Sequence, residues 1–257
     1  MKKILKITAL FCIPAVLGVL WWLHGQHTVP VMMYHHVETT DNYRANSVSP
    51  ENFERHMAYL RDHGFKVLSF EDLVRLTREG RRPPRKSAVI TFDDGYADNY
   101  ELAYAILKKF NFPAIIFVPT DFINTDGYLS WEQIREMVQN GISIGSHSRR
   151  HAYLPDLSAL EQRDEIFGSK RILETNLGVP ADYFSYPIGG FSEEIKHLVR
   201  EAGYKGAAAT NRGFDRLNHD VYELNRIRFG DRDIRNDYIG IKLSGYYNLF
   251  RKAKSPN

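Results

Sequence analysis

The chain has 257 residues, 43% apolar and 25% charged, with 34 Lys and Arg against 31 Asp and Glu. That composition excludes a disordered chain, a collagen-like repeat and a disulfide-stapled miniprotein. Six of the basic residues lie at the ends (Lys2, Lys3, Lys6, Arg251, Lys252 and Lys254), so the 28 between them face 31 acids and the body carries −3. A nucleic-acid partner would call for a basic body, so none is expected.

The amino terminus reads as a membrane anchor. Ile7 to Leu23 carries no charge, follows three lysines and ends near Trp21 and Trp22. Counted from Ile4, it spans roughly 30 Å at about 1.5 Å per residue, the thickness of a bilayer core. Lysines before the segment put the amino terminus in the cytoplasm and the body outside it, periplasmic or at the cell surface. Trp21-Trp22-Leu23-His24-Gly25 contains no small-x-small cleavage site. The expected division is therefore an uncleaved signal-anchor within residues 1–28 and one domain over 29–257; cleavage would make the body secreted. Cys12, the single cysteine, falls inside the anchor and leaves the body without thiols.

After the anchor, short apolar runs alternate with amphipathic stretches. Val31 to Tyr34, Ala88 to Phe92, Ala114 to Val118 and Ile142 to Ile144 predict buried strands. Ser49-Pro50 predicts an N-cap with Pro at the first helical position, followed by an inward stripe of Phe53, Met57 and Leu60 and a stop at Gly64. Leu102, Ala105, Ile106 and Phe110 suggest a second stripe. Ser130 caps a third helix with Ile134, Met137 and Val138 inward, and further helices are expected over roughly Ser158–Leu177 and Ser192–Ala202. This alternation predicts a single α/β domain.

Polar clusters stand where the strands end. Asp93 and Asp94 close Thr91-Phe92-Asp93-Asp94-Gly95, and adjacent like charges raise each other's pKa unless a cation intervenes. Read alone, the cluster also fits a plain strand-to-helix turn. His147 and His151 follow another strand at a spacing that would face one way on a helical turn, and neutral imidazole is a favoured ligand for zinc and related ions. His35 and His36 end the first strand, and Pro187 and Ile188 lie in a glycine-rich turn after Ser185. Chemistry at the C-terminal ends of strands is the rule in β/α barrels, and one metal site accounts for these clusters together.

Thr91-Phe92-Asp93-Asp94-Gly95 with His147-Ser148-x-x-His151 resembles the polysaccharide deacetylases of carbohydrate esterase family 4. Met33-Tyr34-His35-His36-Val37 further resembles the branch that contains the poly-β-1,6-N-acetylglucosamine deacetylases. The resemblance implies a single deformed (β/α)7-type barrel behind the membrane anchor helix. It also implies a metal-dependent hydrolase that removes N-acetyl groups from an N-acetylated polysaccharide. By the same resemblance Asp94, His147 and His151 are the metal ligands, Asp93 the general base and His35 the general acid. Zinc suits that set best, with cobalt, nickel or ferrous iron as alternatives. Pro187 and Ile188 are assigned to the substrate and oxyanion side, and Leu154 and Trp131 are candidate walls for the acetyl methyl.

Three positions depart from the family pattern. The Arg expected two residues before Pro187 is Ser185, His36 replaces an Asp, and Ile188 replaces a Tyr. Something else must orient Asp93, and Arg226 is the candidate. The alternatives are an O-acetyl esterase on a cell-wall glycan and a catalytically inactive glycan-binding barrel, for which the missing Arg is the best support.

Overall fold

The computed structural model describes residues 17–18, 21–22, 24–39, 45–210, 212–213 and 215–251. The anchor expected before residue 24 lies largely outside them. Among the described residues, no helix is long and apolar enough to cross a membrane.

Strand β1 (Val31–Tyr34) is fully buried and leads into a short ladder of β2 (His36–Val37) with β3 (Ser47–Val48). Next come β4 (Lys66–Leu68), β5 (Ser87–Phe92), β6 (Ile115–Val118) and β7 (Ser143–Ser146), then β8 (Tyr183–Ser185), β9 (Gly206–Ala208) and β10 (Ile227–Arg228). All but β2 and β3 form one sheet in the order β10-β1-β5-β6-β7-β8-β9, with β4 beside β5. Every pairing given for it is parallel. Such strands are covered on both faces, which is why β5 and β6 read as unbroken apolar runs.

The sheet curls until its edges meet through one segment. Ala209 N–H donates to Leu224 O at 2.9 Å and Arg226 N–H to Thr210 O at 3.0 Å, and the same segment continues into β10 beside β1. The expected barrel is thus seen as a curled parallel sheet surrounded by helices.

Alternation along each strand sorts the core. Met32, Ile90 and Ile116 face an outer layer of helices through Phe53, Met57, Leu60, Leu107, Ile134 and Met137. Val31, Val89, Ile115, Phe117 and Tyr183 share the other face. Continuing that parity puts His35, Asp93, His147 and Ser185 on the inner face, one step past the apolar residues, at the C-terminal ends of their strands.

The helix termini follow the sequence signals. Ser49 caps Pro50–Asp62, Ser130 caps Trp131–Gln139 with a complete capping box, and Ser192 caps Glu193–Glu201. The second predicted stripe holds only for Ile106 and Phe110, which are half-buried and pack against the core. Leu102 and Ala105 are exposed, whereas Ala103, Tyr104 and Leu107 are buried. Asn99–Tyr104 is wound as a π-helix before Ala105–Phe110 continues as α-helix, and the wider turn rotates the later residues off the 3.6-residue pattern.

One buried histidine ties the first helix to the sheet. Tyr34 Oη lies 3.0 Å from His56 Nδ1, and His56 Nε2 lies 2.7 Å from the Asp233 carbonyl. A neutral imidazole satisfies both by accepting from Tyr34 and donating to Asp233. Burial lowers its pKa from 6.5 to about 4. The unfolded imidazole therefore takes a proton more readily, so stability is fully present above pH 6.5 and is lost as pH falls toward 4. That interval corresponds to about 3 kcal/mol. Urea denaturation across this range should show His56→Gln varying by about that much less than the native chain; equal slopes would reject the role given to His56.

Candidate active site

The C-terminal ends of β1, β5, β7 and β8 open into a cleft of about 600 Å³ lined by His35, Asp93, Asp94, His147, His151 and Ile188. Three carboxylate and imidazole groups converge at its floor. Asp94 Oδ1 is 3.5 Å from His147 Nε2 and 3.2 Å from His151 Nε2. The orientation of His147 is set from behind, because Nδ1 lies 2.7 Å from the Ser185 carbonyl and donates to it. That bond fixes the tautomer with Nε2 free to face Asp94. Asp94 Oδ1 is buried without a well-formed hydrogen bond. Burial alone would raise the Asp94 carboxyl, but His147 and His151 outweigh it and hold it well below the usual range. An orphaned anionic oxygen between two imidazole nitrogens fits a divalent cation with three protein ligands and open positions.

Asp93 faces a different partner. Arg226, completely buried, pairs with it in a two-pronged fork, Nη1 to Oδ1 and Nη2 to Oδ2, each at 2.7 Å. The guanidinium is fully used. Nε donates to the Ala209 carbonyl at 2.8 Å, Nη1 also reaches Thr91 Oγ1 at 3.2 Å, and Nη2 reaches Ser185 Oγ at 2.9 Å. Burial would raise the Asp93 pKa, yet the Arg226 charge, with His147, brings it below the ordinary value. The arginine missing at position 185 is thus replaced from the segment just before β10. Ser185 is small enough to admit that guanidinium and hydrogen-bond it.

His35 lines the cleft with a buried Nδ1 that has no hydrogen-bond partner among the described residues. Burial lowers its pKa, against a smaller opposing pull from Asp93 and Asp94. Its carbonyl accepts from Asn99 Nδ2 at 2.7 Å. His36 points elsewhere, stacking on Tyr96 and pairing with Asp98 at 2.7 Å. It comes within ligand distance of Glu38 and Asp98. There Asp98 already accepts from Val37 N–H and Asn99, and Glu38 from Ser47.

His147 and His151 do not share a helical turn. They meet through a loop, ring centres 4.8 Å apart, in which Ser148 and His151 take φ of 64° and 56°. Buried Glu165 organises that loop, accepting Arg149 N–H at 2.8 Å, Arg150 N–H at 2.9 Å and Arg150 Nε at 2.6 Å. Sequence reasoning missed Glu165; its one signal is an acid beside Ile166 inside a helix. The reading also missed Arg212, Arg228 and Arg251, which line the cleft.

Leu154 and Trp131 are not among the described residues that line the cleft. Leu154 is fully buried with Ile166, Phe184 and Tyr186, and Trp131 packs against the outer core from the first position of its helix. Pro187 is buried beneath the turn, while Ile188 is 52% exposed at the cleft with φ 59°. A β-branched residue in that region is strained.

The sequence model of the family described as polysaccharide deacetylase matches residues 80–207. Bacillus subtilis YxkH, described as a polysaccharide deacetylase, is 34% identical over 200 residues, which cover 78% of this chain and 71% of YxkH. The poly-β-1,6-N-acetyl-D-glucosamine N-deacetylase of Staphylococcus aureus strain MRSA252 is 26% identical over 199 residues, 72% of this chain and 68% of that protein. Among solved structures, Streptococcus pyogenes deacetylase PplD in complex with acetate is similar with a TM-score of 0.77 and 28% identity, covering 84% of this chain and 97% of that one. IcaB from Ammonifex degensii shares the fold, with a TM-score of 0.74 at 22% identity over 86% and 97% of the two chains.

Removing Arg226 strands a buried carboxylate. Arg226→Met is expected to cost about 3–5 kcal/mol of stability, and adding Asp93→Asn should restore a large part. Denaturant titration of the two variants checks this; additive losses would show that the pair is not coupled.

Proposed function

The chain belongs to the polysaccharide deacetylase family of hydrolases, and from that premise we propose that it hydrolyses N-acetyl amides of N-acetylglucosamine residues in a polysaccharide. The observation that carries the reading is the pairing of Asp93 with Arg226 beside the Asp94, His147 and His151 cluster, with His35 on the same cleft. The named activity of the Staphylococcus aureus relative supports the amide as the bond.

A divalent cation held by Asp94, His147 and His151, zinc in our proposal, would polarise the acetyl carbonyl and acidify water at neutral pH. The remaining work falls to this chain's own residues. Asp93, kept ionised and aimed by Arg226, accepts a proton from the attacking water. The Ile188 N–H is our candidate donor to the developing oxyanion, since its strained turn sets Ile188 at the cleft. His35 delivers a proton to the leaving nitrogen. Burial weakens its hold on that proton, which favours the transfer once the imidazole is protonated.

The case for an inactive glycan-binding barrel rested on Ser185, and Arg226 at Asp93 removes that support. We place the domain outside the cytoplasm, tethered by the amino-terminal segment, on the strength of the lysines and apolar run before residue 24.

The test is acetate release by the purified full-length chain loaded with zinc. N-Acetylglucosamine oligomers should be deacetylated, and chelation should abolish turnover. Asp93→Asn should lower kcat by on the order of 10²–10⁴ while metal content stays the same by mass spectrometry, whereas Asp94→Asn should lose the metal. Acetate from O-acetylated glycans alone would make the protein an esterase. No acetate from oligomers, chitin, peptidoglycan or small acetyl esters would sink the hydrolase reading.

A further inference from the structure

One wall of the cleft carries more positive charge than amide hydrolysis requires. Arg228 and Arg251 line it, and the acids lining the cleft among the described residues are Asp93 and Asp94. Arg226 occupies the first and the two histidines face the second. Arg228 stands at the end of β10 opposite Met33, two residues before His35, with its side chain exposed. Among the described residues, its guanidinium meets no carboxylate within ion-pair distance.

Arg251 is held in place on that wall. Its Nη1 donates to the Arg226 carbonyl at 2.8 Å and its guanidinium lies 5.6 Å from the Tyr247 ring centre. Burial lowers its pKa, and Arg228 adds repulsion. A smaller hollow of about 220 Å³ continues from the cleft, shares Arg228 and Arg251, and adds Arg232 and Lys242. Asp233, the acid lining that hollow, is 2.6 Å from Lys242. The hollow beside the cleft thus has Arg228 and Arg251 in common with it.

A neutral N-acetylglucosamine polymer offers only hydroxyl and amide groups to such a wall. Guanidinium forks match phosphate and carboxylate oxygens, and do so best where the side chain is already oriented. We propose that the glycan is anionic, and that Arg228 and Arg251 receive a phosphate or carboxylate on a sugar neighbouring the one that loses its acetyl group. This rests on the deacetylase reading and adds the charge of the substrate to it.

Matched oligomers test the idea with the full-length, zinc-loaded chain. One is a neutral N-acetylglucosamine oligomer, one carries a phosphodiester on a neighbouring sugar, and one is a peptidoglycan fragment whose N-acetylmuramic acid supplies the carboxylate. Acetate release gives kcat/KM, and calorimetry gives Kd independently of turnover. The native chain should favour at least one anionic oligomer by roughly tenfold, the scale of one hydrogen-bonded charge contact. The preference should shrink as salt rises, and the arm that shows it identifies the anion. Arg228→Gln and Arg251→Gln should each lower the anionic-to-neutral ratio, and together bring it to about one. Arg228 is exposed on the rim, so that variant reads out even if the other misfolds.

Equal kcat/KM and equal Kd for all three oligomers would overturn the proposal while leaving the hydrolase intact. Arginine-dependent binding of an anionic oligomer with no acetate released from any would uphold the anion site and reject the hydrolase.

Discussion

The bidentate pair between Arg226 and Asp93 is the constraint around which the cleft is arranged. A guanidinium with no exposure must find acceptors for its donors or remain a costly buried charge. Here they go to a carboxylate, a backbone carbonyl and two hydroxyls contributed by β5, by β8 and by the residue after β9. Arg226 itself sits just before β10, whose pairing with β1 brings the edges of the sheet together. One side chain thus gathers the strands whose ends carry the chemistry, and Asp93 is fixed as part of the same closure. Its 5.6 Å approach to the Phe117 ring adds an apolar neighbour from the inner core.

Conformational strain is concentrated at the same place. Asp94, Ser148, His151 and Ile188 all take positive φ, and three of them line the cleft. None is glycine, so each is held by its surroundings. Ser146 Oγ accepts the Ser148 N–H, Ser148 Oγ accepts the His151 N–H, and Glu165 takes the two N–H groups between them. Loops positioned by a rigid sheet are where functional residues gather, and here side-chain hydrogen bonds do the positioning that a helix would have done.

The limits of legibility in the sequence follow from this. The strands and caps were readable because they rest on local signals, such as the apolar run of β5 and Ser49 before Pro50. Asp93, Asp94, His147, His151 and His35 were readable as a group because each ends a strand. The geometry that joins them was not. The spacing of His147 and His151 matches a helical turn equally well, and the loop is held instead by Ser146, Ser148 and distant Glu165. The π-helical turn at Asn99–Tyr104 leaves no mark in hydropathy yet moves Leu102 outward. Leu154 is the plainest case: an apolar residue near a site is as good a core residue as a wall, and this one is buried in a cluster with Ile166, Phe184 and Tyr186. Arg226 was nameable only as a candidate, once the family resemblance showed that Ser185 lacks the expected charge.

Net charge carries the same lesson at larger scale. The body between the two ends is acidic by count, and by that measure it should repel an anionic polymer. Coulomb energy falls with distance and with screening, so the total matters less than what stands within a few ångströms of the ligand. Many of the acids lie in surface pairs such as Arg163 with Glu201 and Arg235 with Asp237, where they offset local cations. The two acids in the cleft are each engaged, one by Arg226 and one by the ligand cluster. Arg228 and Arg251 line the same cleft, and Arg251 is tied to the carbonyl of the residue that orients Asp93. The wall that would select the charge of a glycan is therefore joined through Arg226 to the group that would activate water, so binding an anion and aligning the base would draw on one connected set of contacts.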